Sequence, residues 1–560
     1  MERKFVPTDF DVDNKEEVIK LYQQLLDEEL PDAKALRAWV DKTNELDTVL
    51  SEVSCRRYVA TTVNTADEEA ARAYQSFEEN IGPIMSEYGD KVNKKLMGHP
   101  NKDELKDELE ELYKGLQVAI DIYSKDNIPL QVELSKEIQD YQKITGGMSV
   151  EFEGKTQTMP QMGKYLEKTD RDLRERAWRA IQERRMKDGE ALNASFDRMF
   201  ALRNRIAKNS GCKDFIDYIY KAKCRFDYTP KECYDFHESV EKFVLPLVKE
   251  IAKRRAEQMK LDRLRPWDMA VDPLNREPLK PFSTGAELIE KVDGIFEDIH
   301  PQAGKWARIM QKDGLIDAES RIGKAPGGYQ IDFDESGEPF IFMNAAGTDG
   351  DIYTLLHESG HSFHHYCRQK QLACYRYAPA EFAEVASMSM ELIGMQGLGK
   401  FYSSAEDIER SRIGQLEGII TLFPWIASVD QFQHELYSRP SHTAADREKI
   451  WLGILDRYAT GMVDYSGVEY TRKASWQRQL HIFECPFYYI EYGIAQLGAI
   501  QVWKNYKENP KKAIDDLFAA ESLGSSRPLP ELFAAANIKF DFTADTIEPL
   551  TQFIWDELNH

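Results

Sequence analysis

Apolar residues recur at helical spacing through much of this chain. Over residues 14–28, Val18, Leu21, Leu25 and Leu26 form one stripe among charged positions, which predicts an amphipathic helix. Residues 105–123 repeat the style, and Thr65-Ala-Asp-Glu68 fits a capping box opening a helix toward Ile81. Alternation around Val150 and Phe152, followed by Gly154, predicts a small hairpin. Thr169 or Asp170 then caps a helix over 171–186, and the helical pattern resumes over 231–260. Prolines clustered between Pro266 and Pro281 predict a loop. A second hairpin is expected from Tyr329-Gln-Ile-Asp-Phe and Pro339-Phe-Ile-Phe-Met-Asn344, separated by the turn residues Asp334-Glu-Ser-Gly337. Thr348 with Asp351 fits the cap of the next helix, expected over 351–371, and another helix is expected over 379–394. A change of register near residue 165 divides the chain into an N-terminal helical lobe, 1–165, and a second unit, 166–560. No repeat of fixed period is visible.

Composition narrows the class. The 560 residues are enough for a large core without disulfide or metal staples. Lys and Arg number 73 against 96 Asp and Glu, a net charge of −23, which argues against nucleic acid and anionic membranes as main partners. No uncharged apolar run reaches the ~18–20 residues of a membrane span; the longest, residues 418–429, contains Pro424. The first residues lack the apolar stretch of a secretory signal. Seven scattered cysteines without a CxxC pair read as reduced thiols, so a cytoplasmic protein is expected.

The chemistry lies in His357-Glu358-Ser359-Gly360-His361. Histidines at i and i+4 share one helical face and can converge on one metal ion. Glu358, offset by one residue, can reach a water beside that ion, which is the zinc-peptidase arrangement. A catalytic zinc needs a third protein ligand and an open position. His364 and His365 lie on the next turn, where they would strain tetrahedral geometry, so a second helix is the better source. Residues 379–394 carry Glu381, Glu384 and Glu391 on one stripe of an otherwise apolar helix, where acids are costly unless paired or metal-bound. Physical reasoning alone leaves the choice among these three open.

Taken together, Lys324-Ala-Pro-Gly-Gly-Tyr, Pro339-Phe-Ile-Phe-Met-Asn, Thr354-Leu-Leu-His-Glu-Ser-Gly-His, Ala383-Glu-Val-Ala-Ser and His481 through Pro486-Phe-Tyr-Tyr-Ile-Glu-Tyr492 resemble the M3 metallopeptidases. This is the thimet oligopeptidase and oligoendopeptidase F family, and the resemblance is nearer to the oligoendopeptidase F branch. It covers about residues 320–500. It implies a mainly α, two-lobed fold with a deep central channel and a small β-sheet beside the HExxH zinc helix, making 166–560 the catalytic domain. It implies one Zn²⁺ per chain on His357, His361 and Glu384. Glu391 would hold a ligand histidine by its other ring nitrogen, a role that fixes tautomer and orientation. His481, Tyr489 and Tyr492 would face the zinc across the cleft. Ser359, Met388 and Met390 depart from residues usual in the family.

The expected function is therefore hydrolysis of internal bonds in short unstructured peptides, with Glu358 as general base and Tyr492, assisted by Tyr489 or His481, holding the oxyanion. The strand at 339–344, read as an edge, could pair with substrate backbone. Gly327, Gly328 and Gly347 could allow close backbone approach. Cys367, Cys374 and Cys485 read as ordinary small core thiols. The rival readings are a helical zinc carboxypeptidase, for which no carboxylate-binding arginine stands out in these motifs, and a peptide-binding protein with a decayed site.

Overall fold

The computed structural model describes residues 2–321, 323–325 and 327–560. Pro326 of the Lys324–Tyr329 motif lies outside the described residues. The amphipathic stripe at the start forms the helix Lys15–Asp27, capped by Asn14, which buries Val18, Leu21 and Leu25. The capping signal near Thr65 is used two residues later: Asp67 caps Glu68–Asn80, and Thr65 instead donates to the Gly323 carbonyl. Apolar side chains from Val6 to Tyr113 form one core. A second, much larger core runs from Tyr141 to Leu558.

The first hairpin pairs β1 (Ser149–Phe152) with β2 (Lys155–Thr158). Asp170 caps the helix Arg171–Lys187. The helical pattern over 231–260 is two helices, Pro230–Ser239 and Leu245–Met259, joined through a π turn at Val240–Val244. Pro246 explains the break, because it can donate no hydrogen bond to the preceding turn. Pro424 is treated differently. It lies inside the long helix Ala405–Tyr437, where burial on neighbouring helices holds the backbone helical despite the missing donor. No helix among the described residues is long and apolar enough to cross a membrane.

Beside these helices stands a three-stranded sheet of β3 (Ile316–Glu319), β4 (Tyr329–Phe333) and β5 (Glu338–Ala345), in the order β3-β5-β4. β4 and β5 form the expected antiparallel hairpin. β5 is not an edge, however. β3 pairs with it in parallel, Ile316 opposite Ile341 and Asp317 opposite Phe342. A four-residue strand of mixed polarity carries too little periodicity to be seen in the sequence, and its pairing depends on a distant contact. β5 leads through Gly347, at φ +85°, into the helix Asp349–Arg368, whose capping box is Thr348 with Asp351. We call this the histidine helix.

The histidine helix crosses Ala380–Gly394, the glutamate helix, at very close range. A Cβ placed on Gly360 would lie 2.6 Å from the Ser387 Cα and 2.7 Å from the Ala386 carbonyl oxygen. Gly498 permits the same approach between the glutamate helix and Tyr489–Glu508, the tyrosine helix, because a Cβ there would lie 2.6 Å from Val385. These two contacts draw the three helices together and set the distances within the site.

Candidate active site

His357 and His361 project from one face of the histidine helix toward Glu384 of the glutamate helix. Their Nε2 atoms lie 3.2 and 3.5 Å from the same Glu384 oxygen, Oε2. Donor atoms of all three residues fall within 4.8 Å of one another. Two imidazoles and one carboxylate, aimed at a common point and partly open, are a donor set suited to a catalytic divalent metal.

Two members of this trio, His357 and Glu384, are held from behind. Nδ1 of His357 lies 2.6 Å from Glu391 Oε1, and the Gln415 amide donates to the other oxygen of Glu391 at 2.7 Å. Ser387 donates to Glu384 Oε2 at 2.9 Å, and the Tyr488 phenol donates to Glu384 Oε1 at 2.7 Å. Burial alone would raise the Glu384 carboxyl, but His361 and His357 outweigh it and hold the group well below the ordinary carboxylate range. Glu381, the first acid of the stripe, is committed elsewhere: Tyr228 donates to it at 2.6 Å. His364 packs against Phe382, and His365 lies 2.8 Å from Asp332, so neither joins the trio.

Glu358 is buried beside the trio, and burial pushes its carboxyl above the usual range. On the tyrosine-helix side, Tyr492 Oη lies 3.2 Å from His481 Nε2. A short hydrogen-bond chain sets the proton positions here. Trp425 Nε1, which can only donate, bonds Gln479 Oε1 at 3.0 Å. The Gln479 amide nitrogen must then donate to His481 Nδ1, 2.7 Å away. That leaves the proton of neutral His481 on Nε2, where it donates to the Tyr492 oxygen. The Tyr492 hydroxyl proton is thereby left free for another acceptor. Burial pulls His481 down to about 4, so the ring stays neutral near pH 7.

Tyr489 takes a different direction. Its ring packs against His481 with centroids 5.0 Å apart, and its phenol is directed at Trp425 and Gln479 rather than at the trio. Sequence reasoning missed Tyr488, Gln479 and Gln415. The resemblance pointed to Tyr489 and Tyr492, but the tyrosine helix begins at Tyr489. Tyr488 lies just before that start, after Phe487 at φ +63°, and this turn swings its ring toward Glu384.

A cavity of about 1860 Å³ opens at the N-terminal end of the histidine helix. Its walls include Tyr58 and Tyr74 from the N-terminal core region, Asn344–Thr348 ahead of the histidine helix, and Gln477, Arg478 and Leu480 next to His481. The free thiols contribute nothing to the trio; burial pushes Cys485, for example, up to about 12.

Fold and site together define a mainly helical protein in which an HExxH helix and a glutamate from a second helix offer a candidate metal-binding trio. Residues 164–551 match peptidase family M3, and residues 5–121 match the peptidase M3 N-terminal domain. The chain belongs to peptidase family M3, on its oligoendopeptidase F branch. PZ peptidase A, solved with an inhibitor, superposes with a TM-score of 0.94 at 29% identity, covering 99% of both chains. The oligoendopeptidase F homolog of Borreliella burgdorferi is 23% identical over 300 residues, 51% of this chain and 49% of its own length. Oligopeptidase PepF of Bacillus subtilis is 25% identical over 346 residues, 57% of this chain and 50% of its own. The matched regions thus span about half the length of these curated relatives.

Proposed function

We propose that this protein is a zinc-dependent endopeptidase that cuts internal bonds of short unstructured peptides. The observation that carries the reading is the His357, His361 and Glu384 trio with buried Glu358 on one side and Tyr492 on the other. These three side chains would hold the Zn²⁺. Once bound, the ion supplies Lewis-acid polarisation of the scissile carbonyl and of the attacking water. Glu358 takes the proton of that water and delivers it to the leaving amine, a role suited to a carboxyl raised by burial. Tyr492 donates its free hydroxyl proton to the developing oxyanion, and His481 keeps that hydroxyl oriented. Glu391 fixes the tautomer of His357, and Tyr488 with Ser387 leaves Glu384 a single preferred direction.

The large cavity supports a substrate channel between residues 1–165, read as an N-terminal lobe, and 166–560, read as the catalytic domain. The helix Ile128–Gly146 bridges the two, since its Tyr141 already belongs to the larger core. Such a channel admits an extended peptide and excludes a folded protein. The net charge of −23 and the lack of a membrane-length apolar helix among the described residues fit peptide substrates in the cytoplasm.

The test is mass spectrometry of a mixed-length peptide pool incubated with the enzyme, with Glu358→Gln as control. Internal cuts confined to short peptides and absent in the control are expected. Stepwise removal of single C-terminal residues would replace this reading with a carboxypeptidase. An active Glu358→Gln variant would remove the assigned base.

A further inference from the structure

A second convergence of metal-type donors lies deep in the large core, away from the trio. The helix Pro230–Ser239 carries Cys233 and His237 one turn apart, and the long helix Ala405–Tyr437 carries Asp430 and His434 one turn apart. All four side chains are 0–1% exposed. The two helices pack on each other, so each offers a pair of donors to the space between them. Donor atoms of Cys233, Asp430 and His434 lie within 4.8 Å of one another, as do those of the catalytic-type trio.

The separations suit one small cation. His434 Nε2 lies 3.4 Å from Asp430 Oδ2, and ligands of a tetrahedral zinc stand about 3.3–3.6 Å apart given its bond lengths. His237 Nε2 sits 2.9 Å from the same carboxylate oxygen. Tyr220 Oη lies 3.1 Å from Cys233 Sγ and 3.5 Å from His434 Nε2.

Among the described residues, no lysine or arginine side chain pairs with Cys233, Asp430 or His434. Asp430 Oδ1 is buried with no hydrogen-bond partner among the described residues. Arg225, the nearby cation, is committed to Glu491 at 2.7 Å and to the Phe487 carbonyl. A buried carboxylate oxygen without a partner is costly, and a bound divalent ion would remove that cost.

We propose that Cys233, Asp430 and His434 form a second, structural metal site that takes Zn²⁺, with His237 orienting the Asp430 carboxylate. One thiolate, one imidazole and one carboxylate favour zinc over the hard cations calcium and magnesium. Binding breaks the Cys233 S–H bond, forms the sulfur–zinc bond and releases the proton to solvent. The site would clamp the two helices behind the tyrosine segment. The His434 ring packs on Phe487, centroids 5.0 Å apart, and Gln433 accepts from the Phe487 amide at 2.8 Å. Phe487 precedes Tyr488, so the clamp buttresses the turn that aims Tyr488 at Glu384.

The test is metal analysis of the zinc-loaded full chain, joined to the absorption spectrum of its cobalt-exchanged form. About two zinc ions per chain are expected for the wild type, and about one for both Cys233→Ser and His361→Ala. Because the catalytic-type trio has no sulfur, a cobalt–thiolate charge-transfer band is expected in the wild type and in His361→Ala, and not in Cys233→Ser. A wild type holding one zinc that His361→Ala loses entirely would overturn the proposal, as would a band that survives Cys233→Ser. If Cys233→Ser does not fold, the wild-type stoichiometry and the band in His361→Ala still decide.

Discussion

Glu391 Oε1 lies 2.6 Å from Nδ1 of His357, two turns along the glutamate helix from Glu384. One helix therefore supplies a carboxylate to the proposed metal and another to the back of a proposed ligand. The contact holds a proton on His357 Nδ1 and leaves Nε2 turned toward Glu384, the side on which a metal would bind. Replacing Glu391 by Gln weakens that acceptor. Zinc affinity is expected to fall about 10–100-fold, read by competition with a chromogenic chelator. An unchanged affinity would show that His357 is oriented by packing alone.

Tyr492→Phe is expected to lower kcat by about 100-fold or more, the typical loss of one oxyanion donor, with little change in KM. Steady-state kinetics on an internally quenched peptide decide it. A rise in KM with kcat intact would reassign the phenol to ground-state binding.

Gln479 acts at one remove, by holding the His481 tautomer that frees the Tyr492 hydroxyl. Gln479→Leu loses that hydrogen bond, worth about 1 kcal/mol, so kcat should fall several-fold to about tenfold. The Gln479→Leu change should have little further effect on a Tyr492→Phe background. Independent, additive losses would break the proposed chain.

The close crossing at Gly360 makes a small substitution costly. A Cβ there meets backbone atoms of Ser387 and Ala386, which cannot rotate away, so the two helices must separate. Gly360→Ala should destabilise the protein by about 1–3 kcal/mol and weaken zinc binding together with it. Thermal denaturation and zinc titration of the same preparation check both.

Glu521 gives a pH signature away from the site. It is fully buried, and burial pushes its carboxyl up to about 8. The unfolded value is about 4.3, so folding takes up a proton between these two values. Stability contributed here is full below about pH 4.3, falls as pH rises toward 8 by at most about 1.4 kcal/mol per unit, and is level above that. Glu521→Gln should flatten this part of the profile and raise Tm near pH 8. A variant whose Tm follows the wild type across that range would rule the effect out.

The sequence by itself determined the local elements and the chemistry that travels with them. Helical stripes, capping residues and the i, i+4 histidine pair act within one turn, so Thr348, His357, Glu358 and His361 could be read from spacing. Spacing left Glu381, Glu384 and Glu391 equivalent, because all three occupy one stripe. Tertiary structure separated them: the crossing at Gly360 places Glu384 against both imidazoles, sends Glu391 behind His357 and leaves Glu381 to Tyr228. The same holds for Tyr488, whose aim depends on a positive φ at Phe487, and for β5, whose central place depends on a parallel partner outside its hairpin. Such features rest on contacts between residues distant in sequence, and a periodic pattern carries no record of which distant face a side chain will meet.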